Sequence, residues 1–226
     1  MGSVIIPRIL SILTGYVFGL FQTAYILGRL QGIDIRQYGS GNLGTTNMLR
    51  TKGLKMGLLT LALDLLKCVL AVLAVRLLFA GSYGELLPVL SVYAAMGAIL
   101  GHDFPFYLGF KGGKGIAATA GFILAMSIWF WPFFAPIELL LFALVFGLTH
   151  YVSLGSLIIY AGFLLETILA GELGLYSCSV SHAQLLEIYI VIALLMLLAF
   201  YLHRENIGRL VRGEERKTYL KKKSEM

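Results

Sequence analysis

The chain has 226 residues, 58% of them hydrophobic and only 13% charged, with a formal net charge of +6 and a mean hydropathy of +0.85. Globular domains carry roughly 25% charged residues, so a water-soluble fold is excluded and a membrane-embedded one is expected. The positive balance reads as a topology signal with a minor pull toward anionic lipid or substrate, and no nucleic-acid partner is expected.

In chain order, apolar runs cover 9–28, 57–80, 86–101, 116–147, 154–170 and 187–202, each reaching or approaching the ~20 residues that span a bilayer. The run 116–147 is too long for one span and holds Trp129-Phe130-Trp131-Pro132, so Pro132 divides it into two helices. The expected fold is therefore all-α, a polytopic membrane helical bundle of seven transmembrane helices forming a single domain over 1–226. Arg8 precedes the first run, but the run is full length and no small-residue cleavage pattern follows, so it reads as a permanent helix and not as a signal peptide. Ile6 stands where N-myristoylation wants Ser or Thr, which removes that reading of Met1-Gly2. Cys68 and Cys178 match neither a metal nor a redox spacing and are expected to be inert.

Short loops on the cytoplasmic side concentrate Lys and Arg. Segments 29–55 and 102–115 and the tail from 203 hold fifteen of the 18 Lys and Arg residues, whereas loops 81–85 and 171–186 hold Glu85 and Glu172 and no Lys or Arg. Seven crossings put all three basic segments on one face, with the N-terminus outside and the C-terminus cytoplasmic. The expected location is the inner or plasma membrane.

Four polar segments share that face: 39–55, 101–115, 149–156 and 203–217. A phosphate site at a helix start needs free backbone N–H groups, little side-chain bulk and a cation. In the first segment Gly39, Gly41 and Gly44 permit tight backbone, and Ser40, Thr45 and Thr46 offer hydroxyls. Asn42 and Asn47 add amides there, and Arg50 follows Asn47 by three residues on a helix start and can grip two phosphate oxygens at once. Read alone, the segment is equally a capped turn with a positive-inside anchor. Lys111-Gly112-Gly113-Lys114-Gly115 opens the fourth span, where the glycines can present N–H groups and the lysines supply charge; the alternative is small-residue helix packing. His102 ends the third span ahead of Pro105 and is a candidate base or ligand, or a polar anchor at the interface. Ser153 adds a hydroxyl in the third segment. His203, Arg204 and Asn206 begin the tail, where Asn206 can donate to a substrate hydroxyl or phosphate and Glu205 or Glu214 can accept; the alternative is a basic amphipathic tail lying on anionic lipid, which is the reading for Lys221–Lys223.

Ionisable residues inside spans are functional suspects by default. Asp64 and Lys67 lie three apart and can pair on one helix face in a bracing role. Glu138 and Glu166 are lone acids in the fifth and sixth spans, candidates for helix-bridging groups whose partners the sequence does not name.

With these residues assembled, the chain resembles the bacterial acyl-phosphate:glycerol-3-phosphate acyltransferases, integral membrane enzymes of phospholipid synthesis. The resemblance rests on SGNLGTTNMLR at 40–50, GHDFPFYLGFKGGKG at 101–115, YVSLGS at 151–156 and HRENIGRLVRGEERK at 203–217, in order over nearly the whole chain. It implies a seven-helix fold with a cytoplasmic site that moves an acyl chain from acyl phosphate to the 1-hydroxyl of glycerol-3-phosphate, giving lysophosphatidic acid. It also implies that Ser40, Arg50, Lys114 and Asn206 bind substrate phosphate, with Thr46, Gly112 and Gly113 nearby. Thr45 departs from the usual Ala, His150 from the common Arg, and the outer loop 171–186 is long.

The chemistry of the residues agrees. Acyl phosphate is a mixed anhydride with a good leaving group, so positioning and charge neutralisation suffice without a covalent intermediate. Substrate assistance is expected, with His203 or Asp64 as lesser candidates for a base. None of the four His residues has an Asp five positions on, which sets the chain apart from the soluble-type glycerolipid acyltransferases. The alternative is a transporter or channel for a phosphorylated metabolite. A lipid phosphotransferase would want clustered aspartates, and the three here are scattered; neither a metal nor a cofactor is expected, and a monomer is.

Overall fold

The computed structural model describes residues 4–219, and the Lys221–Lys223 stretch and Met1-Gly2 lie outside them. Among the described residues the regular structure is helical: α1 (Ile5–Gly19), α2 (Thr23–Leu30), α3 (Thr45–Lys52), α4 (Leu54–Phe79), α5 (Leu87–Asp103), α6 (Ile116–Trp129), α7 (Phe134–Thr149), α8 (Val152–Glu172), α9 (His182–Leu202) and α10 (Arg204–Val211). Five segments are long and apolar enough to cross a membrane: Ile5–Leu30, Leu54–Phe79, Gly84–Leu108, Val152–Glu172 and His182–Leu202. The helices α6 and α7, with 14 and 16 residues, reach only ~21 and ~24 Å at 1.5 Å per residue. The break around Pro132 divides the long run as its sequence requires: α6 stops at Trp129, and Ser127 Oγ accepts from the freed Ala135 N–H at 2.6 Å.

The packing of α1 against α5 is set by four glycines. A Cβ at Gly15 or Gly19 would overlap the carbonyl oxygen of Ala94 or Ala98, and one at Gly97 or Gly101 would overlap that of Ile12 or Tyr16. Each helix thus offers a G-x-x-x-G face to the other, which lets the backbones meet where lipid supplies no hydrophobic drive. Gly121 plays the same part for α6 on α4, against Leu65 O and fully buried Cys68. At the opposite end of the bundle from the polar segments, Arg8 bonds Glu187 at 2.5 Å and Tyr93 reaches the same carboxylate at 2.9 Å, tying α1, α5 and α9 together.

The first span differs from the continuous helix expected over 9–28. The chain breaks at Leu20–Gln22, and the freed backbone groups are met by distant side chains, as apolar surroundings demand. Gln22 Nε2 donates to Gly19 O, Gly101 O and His102 O at 3.0–3.2 Å, and Tyr107 Oη donates to Leu20 O. Lys67 Nζ donates to Phe21 O at 2.8 Å. The expected pairing of Asp64 with Lys67 is present at 2.9 Å, and Thr23 Oγ1 donates to Asp64 at 2.8 Å. Glu138 and Glu166 are not lone: they face each other between α7 and α8, with both carboxyls buried.

Candidate active site

The four polar segments converge at one end of the bundle, around a carboxylate contributed by the tail. The helix α10 ends with Gly213 in the left-handed region (φ 70°), where Gly213 N–H bonds Leu210 O and Glu214 N–H bonds Arg209 O. This helix-ending turn throws Glu214 outward onto Arg212 and Glu215 inward. Glu215 Oε1 accepts from Asn206 Nδ2 at 2.7 Å and from Ser153 Oγ at 2.9 Å, and Oε2 accepts from Arg209 Nε at 2.7 Å. Burial alone would raise its pKa, but these donors outweigh it and hold the carboxyl below its ordinary value. The acceptor in the tail is therefore Glu215, and neither Glu205 nor Glu214 takes that place.

Asn206 carries the network onward. Its Oδ1 accepts a hydrogen bond from Lys114 Nζ, and partial burial together with neighbouring Arg209 lowers the Lys114 pKa. An ammonium has three donors, so Lys114 keeps two for a ligand. Arg50, on α3, donates through Nη2 to Thr218 Oγ1 at 2.7 Å and to Arg216 O at 3.2 Å. Thr218 N–H in turn bonds His150 O at 2.9 Å, so residues 215–218 strap α3, α8 and α10 together. The Arg50 charge lies within reach of Glu215 and Arg209.

His203 is buried, and its Nδ1 sits 2.8 Å from Ala199 O. A carbonyl only accepts, so Nδ1 carries the proton and Nε2 holds the lone pair. Desolvation pushes the pKa down to about 4, helped by nearby Lys114. A base that weak at neutral pH has little driving force to take a hydroxyl proton.

Not every sequence candidate faces a ligand. Asn47 is buried and spends its amide on the 35–40 turn: Oδ1 accepts from Ser40 N–H at 2.9 Å, and Nδ2 donates to Tyr38 O at 3.0 Å and Ile35 O at 3.3 Å. From its place one turn ahead of Arg50 on α3, Asn47 shapes the loop that carries exposed Ser40. The N–H groups of Gly112 and Gly113, expected to be free, are bonded to Asp103 O at 3.0 Å and His102 O at 3.1 Å. Their smallness serves close approach instead, since a Cβ at Gly112 would overlap His102 O and one at Gly113 would overlap His102 Nε2. Gly115 takes φ 71° at the start of α6, beside the buried Asp103 carboxylate. Asn42 and Thr46 are half-buried, Lys111 is exposed, and none makes a side-chain hydrogen bond among the described residues. His102 is only 2% exposed. Sequence reasoning missed Glu215, Arg209 and Thr218.

Comparison with known proteins adds an independent line. The family model described as glycerol-3-phosphate acyltransferase matches residues 9–213. A protein of Anaeromyxobacter dehalogenans named glycerol-3-phosphate acyltransferase is 41% identical over 205 residues, covering 90% of this chain and 93% of that protein. One of the same name from Shouchella clausii is 37% identical, covering 94% and 97%. The crystal structure of PlsY (YgiH), an integral membrane glycerol 3-phosphate acyltransferase, in its glycerol 3-phosphate form, superimposes with a TM-score of 0.77 at 31% identity, covering 94% of this chain and 96% of that one.

Proposed function

The chain belongs to the glycerol-3-phosphate acyltransferase family, and from that premise we propose that it transfers an acyl group from acyl phosphate to the 1-hydroxyl of glycerol-3-phosphate, releasing lysophosphatidic acid and inorganic phosphate. Membership makes it a membrane enzyme of phospholipid synthesis that acylates glycerol-3-phosphate. The acyl-phosphate donor, the seven crossings, a cytoplasmic site in the plasma membrane and a monomeric state are the finer parts of the proposal. Counting α6 and α7 as crossings beside the five longer segments puts every basic segment on one side.

One observation carries this reading: Arg50, Lys114, Asn206 and Ser153, from four separate segments, gather at one bundle end around Glu215. Arg50, Lys114 and Arg209 lie around Glu215, and with Glu205 also within reach of Lys114 the three cations still outnumber the acids, an excess of positive charge suited to phosphate. Ser153 donates to Glu215, so its hydroxyl is committed as a donor and has no imidazole beside it to make it a nucleophile. The attacking hydroxyl gives its proton to a substrate phosphate oxygen, its oxygen bonds the acyl carbon, and the acyl–phosphate bond breaks with the electron pair leaving on phosphate. Ser40, Arg50, Lys114 and Asn206 hold the two phosphate groups together, with Asn42, Thr46, Lys111 and Gly115 around them, and neutralise the charge that develops.

Mass spectrometry of enzyme quenched during turnover tests the direct transfer. Phosphate and lysophosphatidic acid should form mole for mole with no acylated residue; an acyl-enzyme that forms and decays at the turnover rate would refute it.

A further inference from the structure

The buried polar cluster at the helix break lies outside the chemistry described so far, yet it touches the phosphate-side turn through one side chain. Lys67 Nζ has three neighbours within 2.9 Å, Phe21 O at 2.8 Å, Asp64 Oδ1 at 2.9 Å and His102 Nδ1 at 2.8 Å, and one longer contact, Gly19 O at 3.4 Å. An ammonium has three N–H donors and no acceptor, so each of the three close neighbours receives one of them and Gly19 O at most shares the proton given to another. His102 Nδ1 is then the acceptor, and the ring proton resides on Nε2.

The other side of the imidazole is at the site. His102 Nε2 makes no hydrogen bond among the described residues and lies against Gly113, where a Cβ would overlap it and come within 2.8 Å of Cδ2. Gly113 immediately precedes Lys114, which is bonded to Asn206. The ring is held from behind as well, because His102 O accepts from both Gln22 Nε2 and Gly113 N–H. His102 is thus a fixed, neutral ring with one unused donor aimed at the turn that carries Lys114.

We propose that Lys67, anchored by Asp64 inside α4, is a positioning residue that locks His102 in its Nε2–H tautomer, so that this N–H donates to a substrate phosphate oxygen at the Gly112–Lys114 turn. Phe21 O, freed by the break between α1 and α2, completes the seat of the ammonium. The apolar break in the first span and the polar turn after the third are in this way one device. The inference rests on the acyl-transfer reading for its kinetic arm only.

The test uses the purified full chain labelled with ¹⁵N-histidine, with His102 assigned by the signal lost in His102→Gln. The wild type should show a protonated Nε2 and an unprotonated Nδ1 at His102. In Lys67→Met that pattern should give way to a mixture, and the KM for glycerol-3-phosphate or for acyl phosphate should rise roughly three- to tenfold, because a partly mis-set ring forfeits only part of a hydrogen bond to a charged phosphate, with kcat less affected. Whichever KM moves identifies the phosphate that His102 meets. Should Lys67→Met leave Asp64 uncompensated and unfold the chain, the double variant Asp64→Asn, Lys67→Met removes both charges together, a change that buried pairs often tolerate. A wild-type ring protonated on Nδ1, or a folded variant with an unchanged His102 spectrum and both KM values unchanged, overturns the proposal. A wild type that does not acylate glycerol-3-phosphate sinks the functional reading instead, while the spectrum still decides the lock.

Discussion

Replacing Asn206 by Ala separates a site built on positioning from one built on a protein base. Among the described residues the amide is the link between the cation of the 111–115 turn and the tail carboxylate: Lys114 Nζ donates to its Oδ1, and its Nδ2 donates to Glu215 at 2.7 Å. Hydrogen bonds to charged groups contribute about 1.5–3 kcal/mol each. Both here are half-buried, so together they are worth roughly 2–4 kcal/mol after solvent screening. With Lys114 free to swing from its phosphate, kcat/KM should fall roughly 30- to 1000-fold. His203→Ala removes a buried ring that is bonded, among the described residues, to Ala199 O alone, and should cost less than about tenfold in kcat, because loss of a true general base costs about 10²–10⁴. The assay is steady-state formation of lysophosphatidic acid by each purified variant, with thermal unfolding in detergent to confirm the fold. An Asn206→Ala enzyme within threefold of wild type, beside a folded His203→Ala enzyme that is dead, would refute substrate assistance.

Other expectations follow from the same contacts. Glu215→Ala leaves Asn206, Ser153 and Arg209 facing no acceptor; a loss of about 2–3 kcal/mol is expected, visible as a Tm several degrees lower in detergent. Gly113→Ala pushes a methyl into His102 Nε2, an overpacking cost of about 1–3 kcal/mol that should appear chiefly in KM; an unchanged KM would argue against the packed turn. For pH, burial holds His203 at about 4 against its ordinary 6.5. Between those values the unfolded chain binds a proton that the folded chain refuses, so stability should fall by up to about 3 kcal/mol as pH drops through that window and be flat above it. Unfolding of wild type and His203→Gln from pH 4 to 8 checks this, and identical acid limbs would contradict it. Gly97→Leu sets a side chain onto Ile12 O and should separate α1 from α5, with loss of folded protein in detergent.

The parts of the fold visible in the sequence were those written in local chemistry. Apolar runs located the long helices, and Pro132 announced the break between α6 and α7. The break at Leu20–Gln22 was hidden because its partners are remote: Gln22 reaches Gly101 and His102, and Lys67 arrives from α4. Only Gln22-Thr23 marks the spot in an otherwise apolar run. The reciprocal glycines of α1 and α5 were legible as spacing, but which faces would meet was not.

The site followed the same rule. Four polar segments announced themselves by composition, and the structure brings Arg50, Lys114, Ser153, His203 and Asn206 to one end of the bundle. The choice among Glu205, Glu214 and Glu215 depended on the turn at Gly213, whose left-handed backbone decides which of two adjacent acids points inward. Asn47 looked like a ligand because it carries an amide near a helix start, yet three backbone groups of its own loop claim that amide. The Gly112 and Gly113 N–H groups were likewise claimed by carbonyls that α5 leaves free at its end.

The identity of the acyl donor is what most directly separates this chemistry from its alternatives. Purified enzyme should be given glycerol-3-phosphate with either acyl phosphate or acyl-CoA, and lysophosphatidic acid and phosphate measured together. Product from acyl phosphate alone, with one phosphate released per lysophosphatidic acid, is the predicted result; product from acyl-CoA alone, or from neither donor, would contradict it.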